Sequence, residues 1–191
     1  MTGAAQLRRA TFLPDAVGQE AAARHVNIME DPFEPYGLAS ATHDADGVAG
    51  VRRPIVEEGR VVGLFLDTLM ARKLGMRSTG NAGGIRNITL SSRLTNSHDD
   101  VATMLRKMGR GLWLTEFLGG GVDPVTGVFS KAARGFWIEN GAVICPVENF
   151  TVAGNVLEVL RGTVAVGADV YRDGPVRTGS ILVDHLQIAG R

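Results

Sequence analysis

Short apolar runs separated by glycine-rich turns form the pattern of this chain, and the pattern is densest between residues 61 and 87. Val61 to Leu66 is an apolar, partly β-branched run, which predicts a buried strand. Apolar residues then recur at the spacing of one helical face, at Leu66, Leu69, Met70 and Leu74. We therefore predict a short helix from Asp67 to Leu74, with Asp67 as its N-cap and Gly75 as its end.

A glycine-rich segment follows this helix and is the first candidate functional site. Glycine and asparagine reach positive φ at little cost, so the chain is expected to turn sharply there or to approach another surface closely. A plain turn between a helix and a strand is the alternative. The candidate residues for contact with a partner or a peptide are Ser78, Thr79, Gly80, Asn81, Gly83 and Gly84. The second choice is Gly119, Gly120 and Gly121, which could equally form a bulge or a loop.

Two dipeptides predict β-hairpins. Asn140-Gly141 is the preferred type I′ pair and would join strands at residues 134–139 and 142–147. Glu58-Gly59 would join strands at 52–57 and 60–66. The remaining apolar runs predict strands at residues 25–30, 85–90, 112–118 and 180–188.

Two capping patterns predict further helices. Ser97-x-x-Asp100 would open a helix from His98 to Met108, in which two methionines are expected as core filler. Asn155-x-x-Glu158 would open a helix from Val156 to Thr163. A short helix from Pro14 to Ala23 is also possible within an otherwise unpatterned lead-in segment, residues 1–24.

These elements predict one α+β domain over residues 1–191, dominated by antiparallel hairpins with a few short helices packed on the sheet. Hairpins with two-residue turns make antiparallel neighbours, which argues against a doubly wound parallel fold. The 45% apolar content is sufficient for a substantial core.

Composition limits the partners and the compartment. Lys plus Arg and Asp plus Glu number 20 each, so no basic field favours nucleic acid. Cys145 is the single cysteine, which excludes an intramolecular disulfide, and we expect it to be a small buried hydrophobe. The sequence has no signal-peptide pattern and no run of about 18 apolar residues, so we expect a cytoplasmic protein without a membrane segment.

Motifs for catalysis are lacking. The four histidines, His25, His43, His98 and His185, have neither a second histidine at helical spacing nor an H-E-x-x-H motif. The segment from Thr42 to Gly47 lacks the acids of a calcium loop and is interpreted as a solvated Asp-Gly turn. No nucleophile elbow, phosphate loop or dinucleotide fingerprint occurs.

Longer segments resemble the TldD/PmbA family of peptidases, and specifically its PmbA branch, also called TldE. The resemblance begins at about Leu13 and covers nearly the whole chain. It includes ARKLGM at residues 71–76, STGNAGG at 78–84, GFWIENG at 135–141, AGN at 153–155 and VGAD at 166–169.

The resemblance implies a function that the residues alone do not. PmbA-type members lack the zinc motif and pair with a zinc-binding TldD-type subunit to make a peptidase for peptide maturation and proteolysis. We therefore expect no cofactor and no catalytic or metal-ligating residue in this chain, and zinc only in the TldD-type partner. The expected partners are that subunit, the family's N-terminal half, which is absent from this chain, and a peptide substrate, in an oligomer. The alternative is a free-standing peptide-binding module that uses its glycine loops and a sheet edge.

Overall fold

The computed structural model describes residues 1–190 and shows an α+β fold built on two mainly antiparallel sheets, which confirms the predicted fold class. The four helices are α1 (Gly3–Arg8), α2 (Thr68–Lys73), α3 (Val101–Met108) and α4 (Val156–Arg161). The strands are β1 (Val26–Asp31), β2 (Arg53–Glu57), β3 (Arg60–Val61), β4 (Asn87–Ser92), β5 (Gly111–Leu118), β6 (Val128–Glu139), β7 (Ala142–Asn155), β8 (Thr163–Val166), β9 (Val176–Arg177), β10 (Ile181–Val183) and β11 (Gln187–Gly190).

The first sheet has the strand order β3-β2-β1-β4-β9. Its pairs are antiparallel except for the last, in which β9 runs parallel to β4. The sequence did not predict that parallel pair. The second sheet has the order β11-β7-β6-β5, and β8 and β10 form a separate two-stranded ribbon.

Both predicted hairpin turns are confirmed. Asn140 and Gly141 have φ values of 52° and 73°, and Glu58 and Gly59 have values of 47° and 76°. Positive φ at both central residues is the requirement of a type I′ turn. Around Asn140-Gly141, β6 and β7 are much longer than predicted, and they pair from Val128↔Asn155 to Glu139↔Ala142.

Two of the predicted strands are shorter than expected. Only Arg60 and Val61 pair regularly in β3. The N–H groups of Val62 and Gly63 both bond to the carbonyl of Ile55, and Leu64 and Leu66 beyond them remain buried. The predicted strand at 180–188 is broken into β10, which pairs with β8, and β11, which pairs with β7 of the second sheet, and Asp184 and His185 lie exposed between them.

Helices α2, α3 and α4 lie where they were predicted, and two of their three predicted caps are confirmed. Asp67 caps α2 as predicted, by accepting a hydrogen bond from the backbone N–H of Met70. The predicted face was wrong in part, since Leu69 is exposed and Ala71 is buried instead. Asn155 caps α4 by accepting from the N–H of Leu157.

For α3 the capping prediction was wrong. Asp100 is the N-cap and accepts from the N–H of Thr103, so Ser97 lies outside the helix. A carboxylate directly before the first apolar residue of the helix took the place that the capping-box pattern assigned to Ser97.

The main core lies under the first sheet. The lead-in segment contributes Leu13, Ala16, Ala21 and Ala22 to it, beside buried residues of β1 and β2 such as Val26 and Ile55. The helix predicted at 14–23 is absent, and Asp15 has a positive φ of 50° that no α-helix accepts. The first helix is α1 instead.

A smaller core lies on the second sheet, around Ala133, Phe150 and Val152. Part of β7 extends beyond it, and there Cys145 is exposed, so the prediction of a buried cysteine was wrong. Residues 142–146 of β7 are all exposed, so side chains on both faces of the strand are uncovered there.

Candidate functional site

The candidate glycine loop, residues 78–84, has the backbone that its composition predicts. Gly80, Gly83 and Gly84 have φ values of 74°, 92° and 123°. L-residues rarely adopt such angles, so the three glycines are needed for this path of the chain.

The first half of the loop is bonded to the segment that precedes α2. Thr79 donates its backbone N–H to the carbonyl of Leu66 at 3.0 Å, and its Oγ1 accepts the N–H of Leu66 at 2.7 Å. The hydroxyl of Ser78 also donates to the carbonyl of Leu66. Ser78 and Thr79 are therefore half-buried residues that fasten the loop to the domain.

Asn81 lies inside the protein and joins three side chains. Its Nδ2 donates to Oε1 of Glu30 at 2.6 Å. Its Oδ1 accepts from Nη2 of Arg53 at 3.0 Å and from the hydroxyl of Thr79 at 2.7 Å. With 7% of its surface exposed, Asn81 holds the loop from within.

Glu30 is the buried acid at the centre of these contacts, with 1% of its surface exposed. Its Oε2 lies 2.9 Å from Nη2 of Arg53, which stands opposite it on β2. Its Oε1 accepts a second bond, from the backbone N–H of Arg86 at 2.9 Å. Burial lowers the pKa of Arg53, and the charge of Glu30 opposes that shift.

Asp44 is a second buried acid against the loop. Its Oδ2 accepts the N–H of Ala82 at 2.9 Å, and its Oδ1 accepts the N–H groups of Asp46 and Val48. Burial by itself would raise the pKa of Asp44, but these backbone donors hold the pKa below its ordinary value.

The Asp-Gly turn predicted here is present, with φ of 77° at Gly47, and Asp46 is exposed as expected. The prediction of a fully solvated turn was wrong for Asp44, which is 4% exposed. Its partner at Ala82 is distant in sequence, and no local pattern could have indicated that bond.

The loop therefore exposes only its tip. Gly80 and Asn81 are buried, whereas Gly83 and Gly84 are exposed. A Cβ at Gly83 would lie 3.8 Å from the Cβ of Ala45, and one at Gly84 would meet no atom within 4 Å. We call the exposed residues 83–85 the glycine tip, and its contact with a partner stays a prediction.

The second candidate segment lies in a different sheet. Gly119, Gly120 and Gly121 are exposed in the connection between β5 and β6, and the first two have φ values of 59° and 66°. Gly120 approaches the backbone closely, because a Cβ there would lie 2.9 Å from the carbonyl oxygen of Ser130. Among residues 1–190 no hydrogen bond joins this segment to the glycine loop.

An apolar groove of about 640 Å³ runs between the second sheet and helices α3 and α4. Met104 and Met108 of α3 line the groove, although the sequence favoured core filler over a binding groove for these two methionines. Its few polar lining residues include Lys131 and Asp184. A groove of this size and composition is typical of small-molecule or peptide sites.

No metal centre is assembled in the part of the chain that the structure describes, where no three His, Cys, Asp or Glu side chains could hold an ion together. His25 is structural, since its Nε2 lies 2.9 Å from the carbonyl of Thr163 and its Nδ1 2.8 Å from the hydroxyl of Ser92. Within residues 1–190 no helix has the length and apolarity needed to cross a membrane.

Comparison with known proteins supports the family resemblance. The sequence model of the PmbA/TldA metallopeptidase C-terminal domain matches residues 1–190. The metalloprotease PmbA of Escherichia coli O157:H7 is 39% identical over 191 residues, which are 100% of this chain and 42% of that protein. The PmbA homologue of Haemophilus influenzae is 38% identical, again over 100% of this chain and 42% of the relative.

Two solved structures share the fold. A candidate modulator of a DNA gyrase from Thermotoga maritima superposes with a TM-score of 0.90 at 32% identity, over 98% of this chain and 44% of that chain. TldE from Thermococcus kodakarensis superposes with a TM-score of 0.83 at 26% identity, over 99% of this chain and 45% of that chain.

The chain thus spans less than half the length of the curated relatives that it matches. Within that span the match takes in the glycine loop and both hairpins. The chain belongs to the PmbA/TldA metallopeptidase C-terminal domain family.

Proposed function

We propose that this chain is the C-terminal domain of a PmbA-type, non-zinc-binding subunit, which pairs with a zinc-binding TldD-type subunit to form a peptidase for peptide maturation and proteolysis. The observation that carries the proposal is the glycine tip. It is exposed and lacks side chains at two positions, yet buried acids fasten its base to the first sheet. Such a surface allows another backbone to approach closely at a small entropic cost.

In this assembly the chain helps to shape the peptide site, and the partner carries out the zinc chemistry. A zinc peptidase needs ligands and a base that activates the bound water. In this proposal both are supplied by the TldD-type subunit, while the domain contributes contacts that enclose the peptide.

Neutral charge favours a protein or peptide partner over DNA. Acidic and basic residues balance at 20 each, so phosphate groups gain no general attraction. The Thermotoga relative is described as a candidate modulator of a DNA gyrase. For this chain we propose action on a gyrase-directed protein, without contact with DNA.

A second candidate function is a free-standing peptide-binding module. It is favoured by the apolar groove, which lies beside β5, the edge strand of the second sheet. An extended peptide could pair with this edge and place alternate side chains in the groove.

Co-purification of the chain with a TldD-type subunit of the same organism tests the proposal, together with metal analysis and a peptide-cleavage assay. We expect a stable complex, zinc bound to the TldD-type subunit, and cleavage only when both are present. One tightly bound zinc per isolated chain, or cleavage by the isolated chain, would overturn the proposal. Peptide binding by the isolated chain, without any association with the subunit, would favour the second function.

A further inference from the structure

Glu30 and Arg53 place a buried ion pair in the middle of the first sheet, where apolar residues would ordinarily lie. Glu30 is 1% exposed, and the side chain of Arg53 is 15% exposed. Desolvating two charges is expensive, and a well-packed apolar pair of similar volume is often as stable or more so. Stability alone therefore does not explain the pair.

The pair forms a closed ring with Asn81. Nη2 of Arg53 reaches both Oε2 of Glu30 at 2.9 Å and Oδ1 of Asn81 at 3.0 Å. The amide of Asn81 completes the ring by donating to Oε1 of Glu30 at 2.6 Å. Each polar group has a defined donor or acceptor role, so the ring admits one orientation of the Asn81 side chain.

One carboxylate oxygen holds both flanks of the glycine tip. Oε1 of Glu30 accepts from the Asn81 side chain before the tip and from the backbone N–H of Arg86 after it. Asn81 also bonds the tip directly, since its Nδ2 lies 3.3 Å from the carbonyl oxygen of Gly84 and its backbone carbonyl accepts the N–H of Gly84 at 3.0 Å. Glycines sample many conformations when they are not held, so the orientation that Glu30 gives to Asn81 restricts which one is presented.

We propose that Glu30 is a positioning residue for subunit association: its carboxylate, through Asn81 and the Arg86 N–H, fixes the glycine tip in the conformation that the TldD-type subunit binds. This inference rests on the proposed function above. Because Glu30 is 1% exposed on β1, it would act through the loop and not by direct contact with the partner.

A charge exchange within the ring tests the proposal. In Glu30→Gln the charge of Arg53 loses its counter-ion and one amide donor has no acceptor, so the tip should lose its single conformation. In the double variant Glu30→Gln/Asn81→Asp, the amide nitrogen introduced at the Oε1 position can donate to the carboxylate introduced in the loop, and the amide oxygen can accept from Arg53. The ring is then restored with a carboxylate beside Arg53, but the Arg86 N–H has no acceptor.

Three measurements are made on each variant: thermal unfolding, hydrogen exchange of the Arg86 amide, and affinity for the TldD-type subunit. We expect Glu30→Gln to lose exchange protection at Arg86 and to bind about tenfold more weakly, as when the competent state falls to about a tenth of the population. The double variant should recover thermal stability, because the ring is restored, but neither exchange protection at Arg86 nor affinity. Glu58→Gln, which breaks an exposed ion pair with Arg93 beside the same sheet, is the matched control and should change neither.

The outcomes are distinguishable. A folded Glu30→Gln variant with wild-type affinity and Arg86 protection would overturn the inference. So would a folded double variant that binds with wild-type affinity, and this variant decides the question if the single variant fails to fold. If the wild-type chain does not bind the subunit, the proposed function fails, and protection of Arg86 alone then decides whether Glu30 positions the tip.

Discussion

Asp99 and Lys107 form an ion pair along helix α3, with 2.7 Å between Oδ1 and Nζ. The carboxylate is buried, with 4% of its side chain exposed, and it also accepts the N–H of Asn96 at 2.9 Å. The backbone carbonyl of Asp99 accepts the N–H of Ala168. The residue therefore joins the start of α3 to the segment after β8.

Asp99→Asn and Lys107→Met should each lower the thermal midpoint, by roughly 2 to 4 °C for a chain of this size. Each single change leaves a polar group without its charged partner, so the double variant should lose less than the sum of the two. Calorimetry of the three variants checks this. Fully additive losses would show that the two groups do not interact, and Asp173→Asn, at an exposed carboxylate, serves as the control.

The chain should lose stability in acid through Asp44 and Asp99. Although burial opposes the shift at Asp44, backbone N–H donors hold the pKa of both groups below the ordinary range in the folded protein, and Lys107 adds to the shift at Asp99. A native pKa below the unfolded value means that the stabilisation is complete above about pH 4 and disappears as pH falls through the native pKa.

Thermal midpoints measured from pH 7 down to pH 3 test this dependence. Asp44→Asn should lower the midpoint at pH 7 and flatten the decline in acid, because the variant has no carboxylate to protonate there. An unchanged acid slope in Asp44→Asn would contradict the assignment.

Replacement of the two candidate caps of α3 should separate them. Asp100 accepts the N–H of Thr103 at 2.8 Å, so Asp100→Ala leaves that donor unsatisfied and should lower the midpoint by about 2 to 4 °C. Ser97→Ala should have almost no effect because Ser97 lies before the helix. If the two variants lowered the thermal midpoint equally, Ser97 would also contribute to capping, as the capping-box pattern predicted.

Gly83→Val should leave the fold intact and weaken subunit association. The φ of 92° at Gly83 strains any β-branched residue by about 1 to 3 kcal/mol, but the site is exposed and a Cβ would meet only Ala45 at 3.8 Å. We expect a midpoint within a few degrees of wild type and a loss of affinity for the TldD-type subunit.

Gly75→Val is the matched control for this variant. Gly75 is also exposed, has a φ of 66° and has no atom within 4 Å of a built Cβ, but it lies outside the glycine tip. If both variants lower affinity equally, backbone strain is the cause and the tip is only a turn. Full affinity in a folded Gly83→Val variant would lead to the same conclusion.

Cys145 should react in the native state. It is exposed on β7, so a thiol-specific reagent should modify one thiol per chain without denaturant. Absorbance of the released thiolate or the mass of the product measures this. If Cys145 reacted only after the chain was unfolded, the thiol would be buried in the native state and the prediction would be wrong.

The sequence predicted features that neighbouring residues determine. Asn140-Gly141 specifies its turn through the φ preference of two adjacent residues, and Asp67 caps α2 through a bond to Met70. Prediction failed where residues distant in sequence determine the local structure. Val62 lies in an apolar run and its N–H bonds to the carbonyl of Ile55 on β2, but the regular ladder ends at Val61 because the N–H of Gly63 bonds to the same carbonyl.

The organisation of the candidate site was the part least accessible to sequence reasoning. The glycines indicated where the loop turns, but Glu30 and Asp44 are far from the loop in sequence and belong to no motif. The only signal in the sequence was Glu30 itself, an acid among the residues of β1. An acid on the exposed edge of a sheet would give the same sequence pattern. Only the fold identifies its partners.

The parallel pairing of β9 with β4 also affects when the domain can form during synthesis. Val176 and Arg177 pair with Ile88 and Thr89, so the first sheet acquires its outer strand from a segment made long after the other four. Contacts that are distant in sequence close slowly and leave a strand edge open in the meantime. Until the ribosome has released residue 177, the edge of β4 remains available to other chains, and this is the interval in which a chaperone would be needed most.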